Sequence, residues 1–469
     1  MPLRRATGCR TPDCSPCIRW FSFVVLVVSL LLPLRAAALD WAFILEKGVI
    51  DLTLPDTRSG DWQMKGIHVN LGGVNLAVNF AGIGSLAERS TVSGNVRLRV
   101  AELKHPQLKT QGWQFEGRAT GTLADLTLQG RVRADSGLVA DVVIRNVTGE
   151  FLAGRFVLNL SGEQIQQVLA ATLADWPELL EVSRGEVRSV STVRIEPDTP
   201  FALESQFELE GVSGLIGTTA VTDLHGQLRV SLEEGQITAR TSDLTIAKIN
   251  SGIGIGPLRL FADYRAPLAE LFAGVLNIQQ ATAEFLDGRV RVAPRSIDLS
   301  EDPWSLPIEA YDVSLAKLLQ VYPAEGLSGT GQLTGRIPVT VGSAGIEVAG
   351  GRMAAESPGG ILRLPAERLK AMLGSSQGME QVVEALQNFH YKVLNSTIDY
   401  DSKGRLVLGL RLEGQKASDR REQPIVLNLN LEEDIPALLT SLQLSGRVNE
   451  AVTERVRERL KQTGQETAP

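Results

Sequence analysis

The feature that most constrains this chain is a two-residue hydrophobic period that returns along most of its length. Leu126, Leu128, Val132 and Ala134 alternate with Thr127, Gln129, Arg131 and Arg133. Phe156, Leu158 and Leu160 alternate with Val157 and Asn159, Phe207 and Leu209 with Glu208 and Glu210, and Leu228, Val230 and Leu232 with Arg229, Ser231 and Glu233. The pattern is purest late in the chain. There Leu406, Leu408, Leu410 and Leu412 are spaced by Val407, Gly409 and Arg411, and Ile425, Leu427, Leu429 and Leu431 by Val426, Asn428 and Asn430. Neighbouring side chains of a strand point to opposite faces, so this period predicts strands with one apolar and one polar face. Turn signals at Asp135-Ser136-Gly137, Glu234-Gly235, Asp287-Gly288 and Lys403-Gly404 separate the runs. Their spacing, roughly eight to twelve residues per strand and turn, predicts antiparallel meanders.

Helical patterns are few. One covers Glu163 to Ala174, with Ile165, Val168, Leu169 and Leu173 near one face and Ser161 with Gln164 as a capping box. Another covers Val313 to Val321 and stops before Pro323, two more flank Gly374–Gly378 (366–373 and 379–389), and a last carries Val448, Val452, Val456 and Leu460. Some twenty strands, each with an apolar face, cannot be covered by so few helices, so the sheet must curl on itself. Aromatic residues make up only 5% of the chain while glycine occurs 45 times, a poor supply for a large dry sandwich core. A curled sheet wetted by acyl chains needs only small and medium aliphatic residues. The expected fold is therefore mainly β: an elongated, curled antiparallel sheet forming an open β-groove, with a few short helices. At ~4.8 Å between strands, about twenty strands run about 100 Å. A β-rich protein with its own dry core is the plainer alternative.

The N-terminal region reads as an export signal or a membrane anchor. Arg4, Arg5, Arg10 and Arg19 precede the uncharged run Trp20 to Leu34, and Ala36-Ala37-Ala38 follows as a small-residue cleavage pattern. The run is roughly 22 Å long as a helix, and about 30 Å if extended to Leu39 with Arg35 snorkelling. Retention as an inner-membrane anchor through residues 20–39 and cleavage to a free periplasmic protein both place the body across the membrane. The expected organisation is 1–39 as signal or anchor, 40–311 as a meandering β region with a short helical insert near 163–182, 312–445 as a C-terminal module, and 446–469 as an amphipathic helix and polar tail.

Little in the sequence points to chemistry. A net charge of −7 with mixed signs does not suit nucleic acid. Cys9, Cys14 and Cys17 all precede the apolar run, which fits an oxidising compartment for the rest. His68, His105, His225 and His390 are scattered and offer no metal-ligand spacing. Gly374-Ser375-Ser376-Gln377-Gly378 matches a nucleophile elbow in form, but a helical pattern precedes Ser376 where a strand is needed. Gly252–Gly256 and Gly329–Gly335 have dinucleotide-loop glycines without a following helix, and Pro257 and Pro338 interrupt them. No catalytic residue, metal or cofactor is expected.

Four segments carry a resemblance. The first is Glu325-Gly326-Leu327-Ser328-Gly329-Thr330-Gly331-Gln332-Leu333-Thr334-Gly335-Arg336-Ile337-Pro338-Val339. Gly350-Gly351-Arg352-Met353-Ala354-Ala355, the passage from Asn388-Phe389-His390-Tyr391 to Asp399-Tyr400-Asp401, and Gln423-Pro424-Ile425 to Pro436-Ala437-Leu438-Leu439 follow in order. Together, over roughly 312–445, they resemble the C-terminal module of the YdbH-like family, in the AsmA-like, TamB-related group of bacterial envelope proteins, which also carries an older dicarboxylate-transport label. The resemblance implies an inner-membrane-anchored periplasmic protein with an apolar β-groove. It implies movement of phospholipid between inner and outer membranes, with a small outer-membrane lipoprotein as partner. The lipid-contact candidates are then Leu406, Leu408, Leu410, Leu412, Ile425, Leu427, Leu429 and Leu431. The alternative is an envelope scaffold or assembly factor that binds proteins by strand addition.

Overall fold

The computed structural model describes residues 42–434, except 47–48, 60, 78–84, 107, 175, 177–178, 198, 200–201, 251–252, 269, 271–272, 322–327, 344, 364–386 and 417–424. The N-terminal apolar run, Ser376, the flanking helical patterns up to residue 386, and everything after Asp434 lie outside the described residues; the second of those patterns, expected to run to Phe389, has given way by Gln387 and Asn388 to a turn, and Phe389 begins a strand. The protein is mainly β, a long antiparallel sheet with few short helices. It divides into two compact units: one is built on residues up to Gly217 with Thr222–Leu244 and Ala262–Val275, the other on Leu276 onwards with Thr218–Val221 and Thr245–Phe261.

The first unit is a meander. Its strands are β1 (Ala42–Glu46), β2 (Val49–Leu54), β3 (Thr57–Ser59), β4 (Trp62–Ala77), β5 (Thr91–His105), β6 (Leu108–Thr122), β7 (Asp125–Ala134), β8 (Val139–Val147), β9 (Phe151–Ser161), β10 (Leu180–Ile195) and β11 (Ala202–Ile216). From β4 to β11 each strand pairs antiparallel with the next. The alternation places Phe115, Val132, Ala140, Leu158 and Phe207 on one face, all buried, in a lateral row running Phe115–Val132–Ala140–Leu158–Ser189–Phe207. Two phenylalanines fill space that glycines leave open: the Phe115 ring lies where a Cβ on Gly117 would stand, and the Phe156 ring does the same at Gly154.

Helix α1 (Leu86–Arg89) and helix α2 (Glu163–Thr172) belong to this unit. α2 buries Ile165, Val168 and Leu169 in the same core as Trp113 and Leu158. Its N-cap is Gly162 at φ 52, so the expected capping box at Ser161 does not form; Ser161 Oγ instead donates to Gln164 Oε1 at 3.4 Å. A capping box that the sequence reading missed forms at α1, where Ser85 and Glu88 each take the other's backbone N–H. Nor does the helical insert reach 182: Leu173 already bridges to Leu108, and β10 begins at Leu180.

The chain continues through β12 (Thr219–Glu233), β13 (Gln236–Asn250), β14 (Gly254–Ile255) and β15 (Leu258–Pro267). The second unit then holds β16 (Val275–Phe285), β17 (Gly288–Val292), β18 (Arg295–Asp298), β19 (Trp304–Ser314), β20 (Ser328–Gly329), β21 (Gln332–Gly342), β22 (Gly345–Ala355), β23 (Gly360–Arg363), β24 (Phe389–Tyr400), β25 (Arg405–Lys416) and β26 (Ile425–Asp434). Its main ladder is β16–β17–β19–β21–β22–β24–β25–β26, antiparallel throughout. Helix α3 (Leu315–Val321) follows β19 directly, so Val313, expected in the helix, is a strand residue. The β16–β17 turn is also one residue earlier than expected. Leu286 and Asp287 form it at φ 49 and 61, and Gly288 is the first residue of β17. A Cβ on Gly288 would collide with the backbone of Tyr311 and Asp312, which is why glycine stands in the strand and not in the turn.

Candidate functional site

The eight lipid-contact candidates come from two neighbouring strands and share one face. Register pairs Leu408 with Leu431, Leu410 with Leu429 and Leu412 with Leu427, while Leu406 faces Glu433 and Ile425 faces Gly414. The rows continue sideways. Leu410 sits opposite Ser396, which faces Met353, then Gly335, Ala310 and Val290. Leu408 sits opposite Ile398, which faces Gly351. Leu406 sits opposite Tyr400, then Val348, Val339 and Leu306. The apolar face of the second unit therefore spans its whole ladder.

Burial along these strands is graded. At one end the face is dry: Phe389 and Leu412 are 0% exposed, and Val313, Leu333 and Leu394 are buried beside them. α3 makes this end, burying Leu315 and packing Leu318 and Leu319 on the same core. Tyr391 pins it, donating its hydroxyl to the Thr330 carbonyl at 2.6 Å. Burial pushes the Tyr391 phenol up from its ordinary value, so it remains a donor at neutral pH. That hydroxyl occupies the place of a Cβ at Gly331, whose φ of +124° also favours glycine. Further along, Leu410, Leu408, Leu406, Ile337, Val339 and Leu306 are only half-buried, and Ile346, opposite Val341, is 53% exposed. The eight candidates thus divide. Leu412 belongs to the sealed end, and the other seven lie on partly uncovered apolar surface.

The first unit differs. From β8 to β11 its apolar face is closed over by its own side chains: Ala140, Val142, Ile144, Phe156, Leu158, Val193 and Leu203 are each under 5% exposed. Partial exposure on this face is found at Val96, Leu98, Leu128 and Leu152. Trp113 is 2% exposed, and its indole N–H has no acceptor among the described residues.

The opposite, polar face of the second unit carries the strongest electrostatics. Glu309 accepts from Arg291 Nη2 at 2.6 Å, from Tyr311 Oη at 2.9 Å and from Arg336 Nη2 at 3.1 Å. The hydrogen bond from Arg291 does most to hold its carboxyl down to about 2, with those from Tyr311 and Arg336 adding to it. Around this cluster lies a depression of about 810 Å3, lined on its polar side by Arg336, Arg352, Asn395, Arg411, Asn428 and Asn430. The cluster has no signal in the linear sequence, because Arg291 and Arg336 lie 18 and 27 residues from Glu309.

The histidines are spread over both units. His105 stacks on Trp62 at 4.1 Å, and burial lowers its pKa; His68 bonds Thr53, and His225 lies 3.1 Å from Asp223. No group of three metal-ligating side chains occurs among the described residues. No described helix is long and apolar enough to cross a membrane.

Comparison with family models matches residues 45–457 to the model described as YdbH-like, intermembrane phospholipid transport protein YdbH. No curated protein and no solved structure matches the chain.

Proposed function

The chain belongs to the YdbH-like family, and from that premise we propose that it carries phospholipid between the two membranes of a bacterial envelope on the half-buried apolar face of its second unit. The observation that carries the reading is the graded burial of β24–β26. Leu406, Leu408, Leu410, Leu429 and Leu431 form adjacent apolar rows that are only half-buried. Exposed apolar surface in water is unfavourable, and each methylene of an acyl chain laid against it is worth about 0.8 kcal/mol. A chain covering about ten methylenes would therefore gain at most about 8 kcal/mol relative to the same chain in water, which favours the sheet over solvent without any covalent step. The phosphate headgroup stays at the strand ends, in water, so no ion is desolvated.

The contact set on this reading is Leu406, Leu408, Leu410, Ile425, Leu427, Leu429 and Leu431, with Leu412 as a structural neighbour. The first unit contributes at Val96, Leu98, Leu128 and Leu152, where its own core leaves room. Residues 20–39 hold the chain at the inner membrane with the body in the periplasm, and a small outer-membrane lipoprotein receives the far end. The protein acts by binding and release, without catalysis.

The test is organic extraction of the purified full chain followed by mass spectrometry of the extract. Phospholipid at stoichiometric amounts is expected from the natural protein. Leu408→Lys with Leu410→Lys, which puts two ammonium groups into the acyl path, should strip it, whereas Val407→Lys, on the other face, should not. Equal lipid content in all three proteins would sink the proposal.

A further inference from the structure

On the polar face of β4 to β8 in the first unit, register matches charge. The row through β5 to β8 reads Arg97, Glu116, Arg131, Asp141, and the ion pairs follow it at 3.6 Å for Arg97–Glu116 and 3.0 Å for Arg131–Asp141. Lys65–Glu102 at 3.0 Å and Arg145–Asp125 at 2.7 Å add to the same pattern. Between these strands no arginine or lysine stands directly opposite another.

The second unit breaks the pattern at one place. Its equivalent row reads Arg291, Glu309, Arg336, Arg352, Thr397, Gly409, Asn430. Arg336 and Arg352 are directly opposed, an arrangement that destabilises a sheet when nothing compensates it. Glu309, the one carboxylate lining the depression among the described residues, is engaged by Arg291, Arg336 and Tyr311. Arg352 has no ion-pair or hydrogen-bond partner among the described residues. Asn395, Asn428 and Asn430 add amide groups beside the two arginines, and Gly409 keeps the floor of the depression free of a side chain. A volume of about 810 Å3 lies within the range of small-molecule sites. Guanidinium forks with amide donors match a group bearing several anionic oxygens better than a two-oxygen carboxylate.

We propose that this depression is a site for a phosphate ester, with Arg336 and Arg352 as the bidentate partners and Asn395, Asn428 and Asn430 as side-wall donors. Glu309 is a positioning residue here, since it anchors Arg336 through one nitrogen and leaves the rest of the fork free. Strand alternation puts Arg336, Arg352 and the asparagines on the face opposite the acyl-contact side chains, although Leu410 and Met353 also border the depression, and the proposal does not rest on the transport reading. Its ligand is either a lipid headgroup or a free phosphate ester, which share this chemistry.

Calorimetric titration of the full chain in detergent tests it, with sn-glycerol 3-phosphate and dihexanoyl phosphatidic acid as probes and glycerol as the phosphate-free control. Saturable binding of a phosphate probe, and none of glycerol, is expected. Arg352→Gln and Arg352→Glu should each weaken it about tenfold or more, the loss of one charge-assisted fork. Binding confined to the phosphatidic acid identifies a headgroup site, and binding of glycerol phosphate a site for free esters. Arg352→Glu should also raise the melting temperature of the ligand-free protein, because the new carboxylate faces Arg336. Absence of saturable binding by either probe, or unchanged affinity in both folded variants, would overturn the proposal.

Discussion

Glu309 shows how a single carboxylate organises three strands. Arg291 reaches it from β17 and Arg336 from β21, so its ionised form ties both neighbours of β19 to the centre. Its folded-state pKa, about 2, lies below the ordinary 4.5, so this contribution to stability is complete at neutral pH. It fades as pH falls past about 4.5 and is gone below about 2. Thermal melts across that window should show Glu309→Gln melting below the natural protein at pH 7 and converging with it near pH 2. A constant gap at all pH values would mean that the charge is not what holds the cluster.

The leucines of β25 offer a second residue-scale contrast. Leu412 is fully buried, and Leu412→Ala should cost about 2–5 kcal/mol in urea unfolding, since the cavity adds to the lost transfer energy. Leu408 is half-buried, and Leu408→Ala should cost about 1 kcal/mol while affecting lipid binding more. Equal stability losses would show that the burial gradient along the strand has no energetic meaning.

At the scale of elements, each unit has a short helix that dries part of its apolar face. α2 is held by more than its leucines: Thr172 Oγ1 donates to Val168 O at 2.7 Å and is 2.8 Å from Ser136 Oγ, and Gln166 Oε1 accepts the Val182 N–H at 3.3 Å. Ile165 and Leu169 are each 1% exposed, so Leu169→Ala should destabilise the protein by about 2–5 kcal/mol, as a core truncation does. Chemical denaturation measures it, and a change below about 1 kcal/mol would mean that the helix is merely laid on the sheet.

The elements also show what the sequence made legible. A period of two is a local property, so face assignment on β7, β9, β12, β25 and β26 could be read residue by residue, whereas the pairing of Leu408 with Leu431 came only with the register. What failed was finer. Ser161 looked like a cap because it precedes a Gln by three residues, but the strand β9 keeps it, and Gly162, able to adopt φ 52, takes the cap instead. The Asp287-Gly288 pair looked like a turn, yet Gly288 is needed where β19 crosses close to β17. The Glu309 cluster and the Arg336–Arg352 opposition were invisible, since register between β17, β19, β21 and β22 brings them together, and no local pattern encodes it.

At the scale of the whole molecule, the two units solve the same problem differently. Both are antiparallel meanders with an apolar and a polar face, and both have few aromatic residues to spend. The first closes its face over β8–β11 with Phe156, Leu158 and their neighbours. The second leaves the rows of Leu406, Leu408 and Leu410 half-buried. The chain belongs to a phospholipid-transport family, and on the reading proposed above an acyl chain completes that burial and then leaves. The most direct measurement is a scan with a photo-crosslinking amino acid along β25 and β26 in living cells, read out by labelled phospholipid on the protein. Adducts at 406, 408, 410, 429 and 431, with none at 407, 411, 428 and 430, are what the account predicts. Adducts on both faces alike, or on neither, would contradict it.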